Sequence, residues 1–262
     1  RGGDSQQHRS GGVAIRSGKS GSGTSGSIYL KTGSSLASSG AVNLNTGFSL
    51  GGRSGDLNLV AGASHIGSSG RVSIIAGDSV SDTGGAVLLS AGHSKSANGG
   101  SLFLNTASGQ KSGSILLSTG SALQSGEITV ASGSSVTESG DIQLFTGLSD
   151  NIAGDINVKA GNSASSTGGS IKIWGGHGKY GQGGSATVVT GSGSDSSGHI
   201  SLETGKSGIQ SGNINIRTGP GKQNGGYIHF LAGKSISVGG DISLSAGFSS
   251  TSTGGSVQLL SG

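Results

Sequence analysis

Gly26-Ser27-Ile28-Tyr29-Leu30-Lys31-Thr32-Gly33 is an eight-position unit that the chain repeats from one end to the other. The pattern, Gly-x-aliphatic-x-aliphatic-x-small-Gly, starts at Gly11, Gly26, Gly40, Gly55, Gly70, Gly85, Gly100, Gly113, Gly126, Gly140, Gly154, Gly169, Gly184, Gly198, Gly212, Gly226, Gly240 and Gly255. These eighteen copies follow one another at steps of thirteen to fifteen positions, as from Gly100 to Gly113 and from Gly11 to Gly26. Position three is Val, Ile or Leu everywhere except Ala186, position five is always large and apolar, and position seven is Thr, Ser, Ala or Gly. Apolar residues alternating with variable ones at period two, rich in β-branched types and bracketed by glycine, mark a short strand with one buried face.

Between copies lies a polar arc whose second residue is again small: Ser20, Ser35, Ser49, Ser64, Ser79, Ser94, Ser135, Ser149, Ser163, Ser207, Ser235 and Ser249, with Gly or Ala in the others. These serines are expected to point inward. An aliphatic residue follows several of them, as at Leu36, Leu50, Val80, Val136, Ile209 and Ile236, which predicts a second short strand or a bend there. A strand too short to bury its face alone, repeated at a fixed period, is stabilised by stacking its copies. The predicted fold is therefore all-β: a β-solenoid of about eighteen repeats with parallel in-register ladders and one repeat per coil, roughly 86 Å long at about 4.8 Å per coil. Its glycines would sit at corners that need positive φ or a close backbone approach.

The organisation expected is one continuous array over residues 1–262, with 1–10 the tail of a preceding repeat and 11–262 the eighteen copies. Arg1-Gly2-Gly3 matches the last three positions of a copy, and Gly262 matches the last position of copy eighteen. A window of a longer array is the reading, and the lack of an initiator Met agrees with a mature or internal segment.

Composition limits function. There are 57 glycines, one proline and 30% hydrophobic residues, so a thick core is excluded. The net charge of +4 is spread without runs and aromatics are 3%, which argues against a nucleic-acid partner. With no cysteine there is no disulfide framework or thiolate site, and no apolar run approaches the length of a membrane span. Gly47-Phe48-Ser49-Leu50-Gly51 matches a nucleophile-elbow pattern, but the repeat accounts for it and no helix is predicted after it. Gly176-His177-Gly178-Lys179-Tyr180-Gly181 follows a predicted strand but precedes another strand, where a dinucleotide site needs a helix. The Gly-Lys-Ser triplets at Gly18, Gly205 and Gly233 lack the preceding glycine of a phosphate loop. Asp56, Asp141, Asp155 and Asp241 give one carboxylate per copy, too few for a calcium repeat, and His8, His65, His93, His177, His199 and His229 lack ligand spacing. No catalytic residue, cofactor or metal is expected.

The outward positions carry unexpected apolar residues. Leu88, Phe103 and Leu116 occupy the same position of three consecutive copies, Val60 and Ile75 another of two, and Phe145, Trp174, Val189, Leu231 and Leu260 extend the set. Stacked copies would align them as stripes, a candidate assembly interface.

Units such as Gly240-Asp241-Ile242-Ser243-Leu244-Ser245-Ala246-Gly247 resemble the strands of filamentous haemagglutinin-type surface proteins. They are more similar still to the Gly/Ser-rich arrays of extracellular, mastigoneme-type proteins of algae and stramenopiles. The resemblance implies an extracellular structural rod without catalytic residues. The expected function is a structural subunit of an extracellular filament or surface appendage, associating end to end and laterally with itself and with other filament proteins. Its Ser/Thr-rich arcs would be open to O-linked glycan. The alternatives are an ice binder, from the recurrent threonines at position seven, or an adhesin stalk.

Overall fold

The computed structural model describes residues 2–5 and 10–261. No described residue lies in a helix or a hydrogen-bonded strand. The β-solenoid predicted from the repeat is therefore not what the chain forms: no ladder joins neighbouring copies, and the one-repeat-per-coil rod drawn from it lapses. The physical reason lies in the same repeat that prompted the prediction. The two residues at positions three and five of each copy give too thin a face to offset the entropy of ordering the whole unit, arc included. Among the described residues no hydrophobic side chain is buried.

What repeats instead is an extended segment followed by a turned arc. Residues two apart meet on one side of the extended segments, as period-two geometry requires. The Thr129 hydroxyl donates to Glu127 Oε1 at 2.8 Å and the Ser201 hydroxyl to Glu203 Oε1 at 2.6 Å. Tyr227 and His229 stack edge to face at 4.5 Å between ring centroids. The alternation read from sequence also survives as a gradient of exposure. Position-three aliphatics are 44 to 66% exposed, whereas the outward Leu88, Phe103 and Leu116 are 83 to 88% exposed.

Every arc between two of the eighteen copies contains one bend of two or three residues, from 21–23 to 250–252. The bends include Leu36, Leu50, Val80, Val136, Ile209 and Ile236, so these residues mark turns and not a second strand. The recurring serine makes the turn. Where copies stand fifteen apart, its Oγ accepts the backbone N–H three residues on: Gly23 to Ser20 (2.9 Å), Gly52 to Ser49 (3.2 Å), Asp82 to Ser79 (3.0 Å), Ala97 to Ser94 (3.0 Å), Ser166 to Ser163 (2.9 Å) and Ser252 to Ser249 (3.0 Å). Where they stand fourteen apart, the donor is two residues on: Ala37 to Ser35, Thr137 to Ser135, Asn151 to Ser149, Ile209 to Ser207 and Ser237 to Ser235, at 3.2 to 3.4 Å. A short hydroxyl side chain that captures a nearby amide is the usual way serine fixes a turn. Arc length thus selects which amide is captured.

One of the longer arcs with a serine departs from this rule. The Ser64 hydroxyl donates to the Ile66 carbonyl (2.9 Å), and Gly67 has φ of 100°, the only positive φ among the described residues. Elsewhere the corner glycines do not rely on positive φ. Close approach explains the leading glycines instead: in nine copies the leading Gly N–H donates to the carbonyl of the glycine that closed the copy before, at 2.8 to 3.2 Å. These necks join Gly3 to Gly11, Gly62 to Gly70, Gly77 to Gly85, Gly92 to Gly100, Gly161 to Gly169, Gly176 to Gly184, Gly191 to Gly198, Gly233 to Gly240 and Gly247 to Gly255.

The chain divides into two units, Arg1–Val130 and Ala131–Gly262. In the first, the closed necks are at Gly11 and at Gly70, Gly85 and Gly100; in the second, they are at Gly169, Gly184, Gly198, Gly240 and Gly255. Each unit consists of the same alternation of extended segment and arc. No helix among the described residues is long and apolar enough to cross a membrane.

Candidate functional site

The candidate interface residues all lie on extended segments. Val60, Ile75, Leu88, Phe103, Leu116, Phe145, Trp174, Val189, Leu231 and Leu260 are each 79 to 91% exposed, so none is packed against another. The stripe expected of Leu88, Phe103 and Leu116 required stacked copies, and those copies do not stack. Only Trp174 has a neighbour of note: the Lys172 ammonium, two residues earlier and on the same side, lies 5.8 Å from its ring centroid, within cation–π range. Lys179 makes a similar approach to Tyr180 at 5.0 Å.

The best-shielded places are the two small positions of the repeat. Among the described residues, those that are partly shielded belong either to position seven, as Ala61, Ala76, Thr106, Ala160, Thr190 and Ala232 do, or to the arc's small position, as Ser49, Ser94, Gly178 and Ser249 do; Gly2 corresponds to position seven. Position seven sets the state of the neck. Eight of the nine closed necks follow Ala or Gly there: Gly2, Ala61, Ala76, Ala91, Ala160, Gly175, Ala232 and Ala246. All nine leading glycines without the bond follow Ser or Thr: Ser17, Thr32, Thr46, Thr106, Thr119, Ser132, Thr146, Thr204 and Thr218. Thr190 alone combines threonine with a closed neck.

The space beside the leading glycine differs accordingly. In the open necks at Gly40, Gly113, Gly126, Gly154 and Gly212 the threonine γ-methyl lies beside the leading glycine, as it also does at the closed neck of Gly198. With alanine the backbones come together, and a Cβ on Gly85 would then meet both the Ala76 Cβ and the Gly77 nitrogen at 3.2 Å. Where glycine replaces the residue at position seven, the approach is closer still: a Cβ on Gly175 would overlap the Gly184 carbonyl oxygen. The mixture of Thr and Ala at this position thus follows the neck bond in every copy but the one with Thr190.

The sequence motifs fall into the same scheme. Ser49 of the nucleophile-elbow pattern, and Ser20, Ser207 and Ser235 of the Gly-Lys-Ser triplets, are turn serines with their Oγ engaged by backbone amides. In the Gly-rich run, a Cβ on Gly178 would overlap the Gln182 carbonyl oxygen, and the 179–181 bend follows where a nucleotide site needs a helix. Asp56 pairs with Arg53 at 2.8 Å, both side chains exposed. Asp141, Asp155 and Asp241 lie on the exposed surface, as do His65, His93, His177, His199 and His229; His8 lies outside the described residues. Among the described residues no three of these groups gather to hold a metal ion.

One polar cluster was not foreseen. Asp82 follows the turn serine Ser79 by three residues, and its Oδ1 accepts the Thr83 N–H at 2.7 Å and the Thr83 hydroxyl at 3.1 Å. The Thr83 amide, and after it the Thr83 hydroxyl, hold the Asp82 carboxyl below the ordinary aspartate range. The available signal was the Asp-Thr pair at the end of a serine-made bend.

No family model, curated protein or solved structure matches the chain.

Proposed function

We propose that the chain is a non-enzymatic structural segment of an extracellular filament or surface appendage that acts by associating with itself and with other filament proteins. One observation carries this reading: each copy presents aliphatic side chains at regular intervals, and none is buried within the described chain. A surface repeated eighteen times serves assembly better than it serves a single substrate. The ten outward apolar residues from Val60 to Leu260 supply lateral contact area. The likeness of units such as Gly240–Gly247 to mastigoneme-type arrays supports an extracellular location, where the exposed Ser/Thr-rich arcs would be accessible to O-linked glycan.

Electron microscopy of the purified full chain at micromolar concentration tests the proposal. Filaments or laterally bundled fibrils are the expected result. Dispersed single chains at every concentration would overturn it.

A further inference from the structure

The glycines that close the copies have open space where a side chain would stand. Sixteen of the eighteen copies end on a described glycine, from Gly18 to Gly247, and at every one of them an added Cβ would meet nothing within 4 Å. None has positive φ. Copy seven ends on Ala107, so the chain itself accommodates a Cβ there. Glycine is retained where φ is positive, where backbone approaches closely, or where neither applies and its conformational freedom only costs stability. The first condition is absent and nothing of the chain itself approaches the Cβ position, so the recurrence at one place in sixteen copies points to close approach by something outside the chain.

The segment leading to each closing glycine shows what that neighbour meets. Positions three and five, such as Val72 and Ile74, Val87 and Leu89, or Leu102 and Leu104, share one side of the extended segment and are half exposed or more. The first two pairs run on to open glycines, Gly77 and Gly92, and the third runs on to Ala107. We infer that this face docks a second copy of the same chain, whose backbone passes over the closing glycines; the inference rests on the self-association proposed above.

Three observations favour a second copy over an unrelated partner. A closing glycine recurs in every copy except the seventh, a spacing that a second copy carries along its own length. The surface is available, since the chain exposes 27177 Å², against roughly 10,000 Å² for a compact chain of this mass and about 1,600 Å² for a standard interface. Repulsion between copies is weak, with a net charge of only +4 over 262 residues.

The test substitutes Gly62→Ala, Gly77→Ala and Gly92→Ala together in the full chain and follows association by sedimentation velocity. Amide hydrogen exchange at Gly70, Gly85 and Gly100 monitors the necks. The expected result is a rise of about tenfold or more in the concentration needed for association, with neck exchange unchanged, because the new methyls obstruct only the neighbouring chain. Ala107→Gly is the reciprocal variant and is expected to lower that concentration. If the wild type associates and the triple variant matches it within about twofold, the glycine assignment is overturned while the filament proposal stands. Faster exchange at the necks would also overturn it, by showing that the glycines serve their own chain. A wild type that stays monomeric overturns the second-copy assignment together with the reading on which it rests.

Discussion

Residues 55–100 and 100–154 are built from the same eight-position unit and carry similar aliphatics, yet the first stretch is latched and the second is not. From Gly55 through Gly70 and Gly85 to Gly100 every step is fifteen positions, position seven is Ala61, Ala76 and Ala91, and all three necks are closed at 2.8 to 3.2 Å. From Gly100 to Gly154 the steps are thirteen, thirteen, fourteen and fourteen, position seven is Thr106, Thr119, Ser132 and Thr146, and no neck bond forms. Spacing alone does not separate them, because Gly233 and Gly240 close behind Ala232 although that repeat is one of the shorter ones, from Gly226 to Gly240. The side chain at position seven separates them, and it does so in every copy except the one with Thr190.

The largest expected effect comes from exchanging those side chains. Ala91→Thr should open the neck at Gly100 and speed hydrogen exchange of its amide by roughly twofold to tenfold, the equivalent of a hydrogen bond worth about 0.5 to 1.5 kcal/mol. Thr146→Ala should do the reverse at Gly154. Unchanged exchange in both would remove position seven as the cause of the contrast.

A smaller effect separates the latch from the turn. Ser94→Ala deletes the acceptor of the Ala97 amide and should cost the bend about 1 kcal/mol, seen as severalfold faster exchange at Ala97. The Gly100 amide should be unaffected, since its acceptor is the Gly92 carbonyl. Loss of protection at both sites would mean that turn and neck form as one unit.

Much of this was legible in the residues, although the part that defines the fold was not. The period, the position of each arc and the two small sites follow from Gly26–Gly33 and its copies, and each recurs in the backbone as one bend per arc. The stacking of copies was not legible. Alternation as in Ile28 and Leu30 says which side chains share a face, but it does not say that a neighbouring copy will cover them. That depends on whether burial outweighs ordering, and here Ile28 and Leu30 remain 57 and 72% exposed. The alignment of Leu88, Phe103 and Leu116 into one stripe rested on that same predicted stacking. The neck rule was present in the sequence as the choice between Ala and Thr, but it could not be read until geometry placed that residue beside the next leading glycine.

The smallest expected effect is confined to the arc between Gly77 and Gly85. The Asp82 carboxyl is held below its ordinary range by Thr83, so its grip on the Thr83 amide is fully present above the ordinary aspartate range. It is lost as the pH falls through the lowered value. In an acid titration the Thr83 amide resonance should move with a midpoint below about 3.9, the usual aspartate value. A midpoint at or above that value would dissolve the cluster as a feature distinguishing this arc.

The serine turn also bears on how such a gene can change. A fourteen-position repeat captures the amide two residues beyond its serine, as at Ser35, and a repeat one position longer captures the amide three beyond, as at Ser20. A single codon gained or lost in an arc is taken up there as a change of hydrogen-bond partner, before it reaches the next extended segment. The reading of aliphatic positions downstream keeps its phase. An array of this kind can drift in length, unit by unit and codon by codon, while continuing to present the same face.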